Sequence, residues 1–160
     1  MLGQESRLRR TVQRGKQQEQ AGRWAEAATH YRGALSSFGG SPELHFRLGF
    51  AMERQEQFEA ACSSYERALA LDPGLEKARE RLDRLTNRKL KALIDAGRQE
   101  EAKENWEQAA ALYRTALGSA KPTPELHFRL GFCQERQGAV EDARACYRAA
   151  LSLSPDRAKA

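Results

Sequence analysis

Nine residues, PELHFRLGF, run from Pro42 to Phe50 and return letter for letter from Pro124 to Phe132, 82 positions later. A chain of 160 residues that spells one segment twice is built from repeating units. A unit this small cannot bury its apolar face alone and has to stack on its neighbours. The four tyrosines measure the unit. They stand in THYRGAL, SSYERAL, ALYRTAL and ACYRAAL, at positions 31, 65, 113 and 147, in steps of 34, 48 and 34. An alanine precedes each by four residues (Ala27, Ala61, Ala109, Ala143), another follows by three (Ala34, Ala68, Ala116, Ala150), and a leucine comes next (Leu35, Leu69, Leu117, Leu151). Glycines at 15, 49, 97 and 131 open the units, and Trp24, Phe58, Trp106 and Val140 fall nine positions later. Four units therefore share one template, and the distance of 82 is two periods of 34 with an insertion of 14.

Helical periodicity gives each unit its shape. His45, Leu48, Gly49 and Met52 cluster on one face of a 3.6-residue helix expected from Pro42 to about Gln55. A second helix, expected from Phe58 to Leu71, presents Ala61, Tyr65, Ala68 and Leu69 back to the first. Alanine and glycine let the two backbones come close, and tyrosine fills the remaining gap. Ser41-Pro42-Glu43 and Thr123-Pro124-Glu125 have the composition of helix starts: a hydroxyl cap, proline in the first turn, and a carboxylate at the positive end of the helix dipole. Asp72-Pro73-Gly74 is a matching stop.

A 34-residue period with small and large residues at these offsets resembles the tetratricopeptide repeat, whose pattern is W-x2-L-G-x2-Y, then A-x3-F, then P. The second unit carries it as His45, Leu48, Gly49, Met52, Ala61, Tyr65 and Pro73, and the fourth as His127, Leu130, Gly131, Ala143, Tyr147 and Pro155, with Gln134 in place of the aromatic. In units one and three, Arg14 and Ala96 replace leucine, and Gln18 and Glu100 replace tyrosine. The resemblance implies an all-α fold, an α-α superhelix of four helical hairpins in two pairs. Repeats of about 8–41 and 42–75 would form an N-terminal pair within residues 1–74, and repeats of about 90–123 and 124–157 a C-terminal pair within 90–160. Between them, the 14 extra residues span almost four helical turns. Leu75 to about Glu104 holds no proline and only Gly97, which predicts one long helix, with residues 75–89 acting as a spacer and cap. That helix could bend near Gly97; the alternative is a break near Thr86-Asn87, making the insert a separate capping helix.

The functional expectation is binding without catalysis. No phosphate-cradling glycine loop and no serine, histidine and acid cluster occurs in the sequence, and His45 and His127 sit at a packing position, so no catalytic residue, metal site or cofactor is expected. Cys62, Cys133 and Cys146, an odd number without C-x-x-C spacing, read as small buried apolar residues. With 40% hydrophobic and 31% charged residues, short apolar runs, and a start (MLGQESRLRR) with no apolar stretch after it, a folded cytoplasmic protein with no membrane span is expected.

HFRLGF carries more apolar surface than the hairpin stripe uses. Phe46 and Phe50 lie i, i+4 on another face, beside Arg47, Glu53 and Arg54. The second copy supplies Phe128, Phe132, Arg129, Glu135 and Arg136. In tetratricopeptide repeats, the resemblance implies, this first-helix face lines a concave groove for partner peptides or helices. The phenylalanines would anchor and the arginines would select acidic groups; packing against a neighbouring repeat is the other reading of the rings. The lysine and asparagine clamp of chaperone-binding repeats is incomplete, the comparable positions including Val12, Lys16, Phe46 and Arg47. Partners expected are a protein or peptide, or a second copy docking through the spacer helix or through the last repeat, which has no counterpart of the capping stretch GLEKARERLDRL after Pro155.

Two further readings compete. HFRLGF followed by ER is similar to repeats of bacterial proteins fused to polysaccharide-building transferases, which would make this an N-terminal module of a larger enzyme. The net charge of +5, with Arg7, Arg9, Arg10, Arg14 and Lys16 near the start and Arg79, Arg81, Arg84, Arg88, Lys89 and Lys91 on the spacer, would suit nucleic acid. Interleaved Glu76, Glu80 and Asp83, and the lack of a stacking platform, disfavour that.

Overall fold

The computed structural model describes residues 2–119 and 122–154, with side chains from residue 5 onward. Pro155, the last repeat-pattern residue, lies outside the described residues. Eight helices and no strand occur among the residues described: α1 (Leu2–Gln20), α2 (Trp24–Phe38), α3 (Pro42–Glu53), α4 (Phe58–Leu71), α5 (Glu76–Ala102), α6 (Trp106–Ser119), α7 (Pro124–Arg136) and α8 (Val140–Ser152). They group into two compact units, Met1–Leu85 and Thr86–Ala160, which divide inside α5. That helix runs for 27 residues, through Thr86, Asn87 and Gly97 without a break. The insertion therefore prolongs a helix.

The caps read from the sequence are in place. Ser41 Oγ accepts from the Leu44 N–H at 3.2 Å and Thr123 Oγ1 from the Leu126 N–H at 3.3 Å, with proline following each. Asp72 Oδ1 accepts the Gly74 N–H at 2.9 Å, turning the chain after α4. Each hairpin turn also repeats a backbone device that the sequence shows only in part. Gly22, Glu56, Glu104 and Gly138 all have positive φ, and the N–H after each reaches five residues back, as from Arg23 to the Gln18 carbonyl at 2.8 Å and from Gln57 to the Met52 carbonyl at 3.0 Å. This is the left-handed stop that closes a helix C-terminus and favours glycine; the second and third units hold glutamate there instead.

Within Met1–Leu85 the core is made by alanines and tyrosines of α2 and α4 against the first helices. Ala27, Tyr31, Ala34, Ala61, Tyr65 and Ala68 are wholly buried, with Leu44, Leu48 and Met52 of α3 packed beside them. The N-terminal half of α5 closes this core with Ala78 and Leu85. Within Thr86–Ala160 the pattern returns in Ala109, Tyr113, Ala116, Leu126 and Leu130, flanked by Leu90, Leu93 and Ile94 of α5. Cys133 is buried there, and Cys62 and Cys146 are half-buried against their cores. Each tyrosine ring rests on the bare backbone of the glycine that opens its unit. A Cβ added at Gly15, Gly49, Gly97 or Gly131 would come within 2.5, 2.7, 2.6 and 2.8 Å of a carbon of Tyr31, Tyr65, Tyr113 and Tyr147 respectively.

These contacts make opposite predictions for two helical glycines. Gly49→Ala should cost about 1–3 kcal/mol, because the methyl group must displace the buried Tyr65 ring. Gly33→Ala, in α2 with nothing within 4 Å of its would-be Cβ, should instead stabilise by about 0.5–1 kcal/mol through helix propensity. Urea denaturation of the two variants beside the parent chain measures both signs.

Candidate functional site

One turn after each opening glycine stands a glutamate: Glu19, Glu53, Glu101 and Glu135. The spacing of four residues puts it on the glycine's face of the helix, at the mouth of the tyrosine pocket. Tyr65 Oη donates to Glu53 Oε2 at 2.7 Å and Tyr147 Oη to Glu135 Oε2 at 2.7 Å. In three units an arginine 28 positions further along the chain reaches the same carboxylate. Arg47 Nη1 donates to Glu19 Oε2 at 2.9 Å, Arg81 Nη1 to Glu53 Oε1 at 3.1 Å, and Arg129 Nη1 to Glu101 Oε2 at 3.1 Å. Arg84 Nη2 adds a second bond to Glu53 at 3.0 Å. Glu53 thus holds both the tyrosine of its own hairpin and the helix that follows that hairpin. Tyr31 and Tyr113 lie beside their Glu–Arg pairs without forming a hydrogen bond to them.

The expected binding residues fall on this framework. Phe46 is half-buried against Tyr65, ring centroids 5.8 Å apart, and Phe50 meets Trp24 edge-on at 5.5 Å. The second copy repeats both contacts, Phe128 on Tyr147 at 5.6 Å and Phe132 edge-on to Trp106 at 5.7 Å, but with both rings exposed. Arg54 stacks on Trp24 at 5.1 Å and Arg136 on Trp106 at 5.0 Å. Arg47 and Arg129 are engaged twice, Arg47 by Glu19 and Glu43 and Arg129 by Glu101 and Glu125. Their charge serves the clasp between helices, leaving Arg54 and Arg136 as the cations of the set with no carboxylate paired to them among the described residues.

Within Met1–Leu85, Glu19, Phe46, Arg47, Phe50 and Arg81 line a cleft of about 240 Å³. The Arg81 guanidinium lies over the Phe50 ring at 4.6 Å. Glu19, Glu101, Arg81 and the two tryptophans were not among the expected site residues. The signal for the glutamates was present, because they step through the chain in the same 34, 48, 34 rhythm as the tyrosines.

Three of the basic residues of α5 are paired with carboxylates. Arg79 meets Glu76, and Arg81 and Arg84 meet Glu53, so Arg84 takes a carboxylate on α3 instead of the i−4 Glu80 on its own helix. No group of three or more histidine, cysteine or acidic residues able to hold a metal occurs among the described residues, and no helix among them is long and apolar enough to cross a membrane.

Burial dominates the proton equilibria of the site. All four tyrosine hydroxyls are pushed above their ordinary range, first by burial and then by the neighbouring glutamate; Tyr147, the least covered, stands at about 12. Burial and the nearby Glu101 raise the Cys133 thiol to about 11, and burial with Arg67 holds the His45 imidazolium below its usual range.

Stacked hairpins with this residue pattern define a helical-repeat protein. Models of the tetratricopeptide repeat match residues 42–75 and 94–158, between them well over half of the sequence. The chain belongs to the tetratricopeptide-repeat family. Comparison with curated proteins gives no match. Among solved structures, the chain is similar to MamA (41-end) from Desulfovibrio magneticus RS-1, with 15% identity, 93% of this chain and 96% of that chain covered, and a TM-score of 0.49. It is similar also to the Arabidopsis OM64 TPR domain, with 15% identity, 93% and 98% covered and a TM-score of 0.48. A third is MamA MSR-1 C2, with 18% identity, 96% and 99% covered and a TM-score of 0.45.

The tyrosines yield a prediction in alkali. A phenol raised above its ordinary value of about 10 in the fold contributes stability that is complete below that pH and is lost as pH rises through the folded value. Stability should therefore decline above about pH 10, and tyrosinate absorbance should stay flat there, with Tyr147 ionising first near 12. A near-ultraviolet pH titration compared with the urea-unfolded chain tests this. Four phenols titrating at the unfolded value while helical circular dichroism persists would contradict it.

Proposed function

We propose that this chain is a non-catalytic protein-interaction scaffold whose first-helix face seats a segment of a partner protein. The observation that carries the reading is the cleft of Phe46 and Phe50 rimmed by Arg47, Arg81 and Glu19. Its volume of about 240 Å³ falls short of the roughly 300–1,000 Å³ typical of small-molecule sites. It suits one or two apolar side chains of a docked polypeptide, and an aromatic floor with a polar rim is the usual composition of an interaction hot spot. Tetratricopeptide repeats are in general protein-binding scaffolds, which agrees with that use.

The expected acidity of the partner narrows to two of the four expected arginines. Arg47 and Arg129 spend their charge within the fold, so an acidic side chain would be met by Arg54 beside Trp24 and by Arg136 beside Trp106. A guanidinium over an indole ring still has N–H groups to offer a carboxylate. The net charge of +5 adds a weak general attraction.

Panning a random peptide library against the intact chain tests the proposal. The enriched peptides should pair a large apolar residue with Asp or Glu, and Arg54→Glu should weaken them about tenfold, the equivalent of one charge-assisted contact, without moving the denaturation midpoint. A panning that enriches nothing, or peptides that bind the Arg54→Glu chain equally well, would overturn it.

A further inference from the structure

Tryptophan, phenylalanine and arginine come together at two places among the described residues, once in each compact unit. Within Met1–Leu85 the Phe50 ring meets Trp24 edge-on at 5.5 Å, and the Arg54 guanidinium lies over Trp24 at 5.1 Å. Within Thr86–Ala160 Phe132 meets Trp106 edge-on at 5.7 Å, and Arg136 lies over Trp106 at 5.0 Å. The same latch fixes both. Gln55 Nε2 donates to the Trp24 carbonyl at 3.2 Å and Gln137 Nε2 to the Trp106 carbonyl at 3.0 Å, tying the end of the phenylalanine helix to the start of the tryptophan helix.

Hairpin packing does not ask for these residues. The positions that correspond to Phe50 and Phe132 hold Lys16 and Arg98 in the other two repeats, and those that correspond to Arg54 and Arg136 hold Gln20 and Ala102. Phe58 and Val140 stand where the tryptophans would. All four hairpins close on the same contact of tyrosine with glycine regardless. The three residue types therefore meet only where the two hairpins of one compact unit join. The opening at the stacked cation also does not depend on where the sequence stops. In Met1–Leu85, α5 follows the second hairpin and packs Ala78 and Leu85 into the core, and Arg54 is exposed all the same, with no carboxylate paired to it among the described residues.

We propose that the chain carries one binding site twice, as Trp24, Phe50 and Arg54 and again as Trp106, Phe132 and Arg136, and so joins two copies of the same acidic segment of a partner protein. In each site the aromatic pair offers an apolar seat, and the guanidinium beside it takes a carboxylate. Charge complementarity selects an acidic segment, because a basic one would bring a like charge onto each arginine. Matching geometry at the two places means that a segment satisfying one satisfies the other. The inference rests on the reading of the chain as an interaction scaffold and adds to it the number of sites, two with one preference.

The probe is the strongest peptide that panning selects on the Arg136→Glu chain, in which the site within Met1–Leu85 is intact. Calorimetric titration of the parent chain with this peptide should give two equivalents. Arg54→Glu and Arg136→Glu should each leave one equivalent at the parent affinity and weaken the other about tenfold, the loss of one charge-assisted contact. The two tryptophans of the chain lie one in each site, so their fluorescence reads the sites separately. Trp106 should respond to the peptide in a Trp24→Phe chain, and Trp24 in a Trp106→Phe chain. A single equivalent on the parent chain, or a silent Trp106, would overturn the proposal while leaving a scaffold with one site. A panning that enriches nothing would remove both readings. Because Arg54 and Arg136 are exposed, their variants are expected to fold, and the stoichiometry is read on the unaltered chain.

Discussion

The structure depends on a tyrosine ring resting on a helix that has no side chain at the point of contact. Glycine costs a helix about 1 kcal/mol relative to alanine, and the sequence accepts that cost four times, at positions 15, 49, 97 and 131. In return the two helices of each hairpin come close enough for alanines at four before and three after the tyrosine to meet the facing helix, and Tyr31, Tyr65 and Tyr113 lose all their exposure. Tight packing of this kind permits few alternatives, since one added methyl group overlaps the ring.

The glutamate one turn beyond the glycine converts that local contact into a rule for stacking. In three of the four repeats it lies beside the tyrosine of its hairpin and binds the arginine of the helix that follows, so a single carboxylate carries register from one hairpin to the next. The pairs are partly shielded, with Glu19, Glu53 and Glu101 side chains 14, 13 and 17% exposed. Removing one member would leave a shielded charge without its partner, which is the costly case. The arginine register also distinguishes positions along the array. Arginine is present in α3, in the first half of α5 and in α7, each of which follows a glutamate-bearing hairpin, and Gln13 or Asp95 takes its place in α1 and in the later part of α5.

Most of the fold could be read before any coordinates. The tyrosine spacing gave the number of hairpins, Ser41 and Thr123 marked the starts of α3 and α7, and the absence of proline across the insertion pointed to the long α5. The candidate site was less legible. Arg47, Arg129 and Glu53 read as partner-facing charges, because a sequence shows charge on a helix but not which carboxylate lies 28 residues away on a neighbouring helix. The phenylalanines combine both readings, packed on the tyrosines and tryptophans of neighbouring helices yet open in the second unit. Glu56 and Glu104 in the left-handed turns were hidden for another reason: only glycine advertises that conformation, and here the hairpin imposes it on glutamate.

The central claim is that these glycines are required first by the tyrosine ring, the nearest neighbour of each missing side chain. Gly97 isolates it, because the three atoms nearest its missing side chain all belong to Tyr113. The direct measurement is the unfolding free energy of Gly97→Ala in two backgrounds, the parent chain and a Tyr113→Leu chain. The substitution should destabilise the parent and, with the ring removed, become neutral or stabilising by up to about 1 kcal/mol as helix propensity takes over. An equal loss in both backgrounds would show that the glycine serves some other constraint, and the account of how the hairpins close would be wrong.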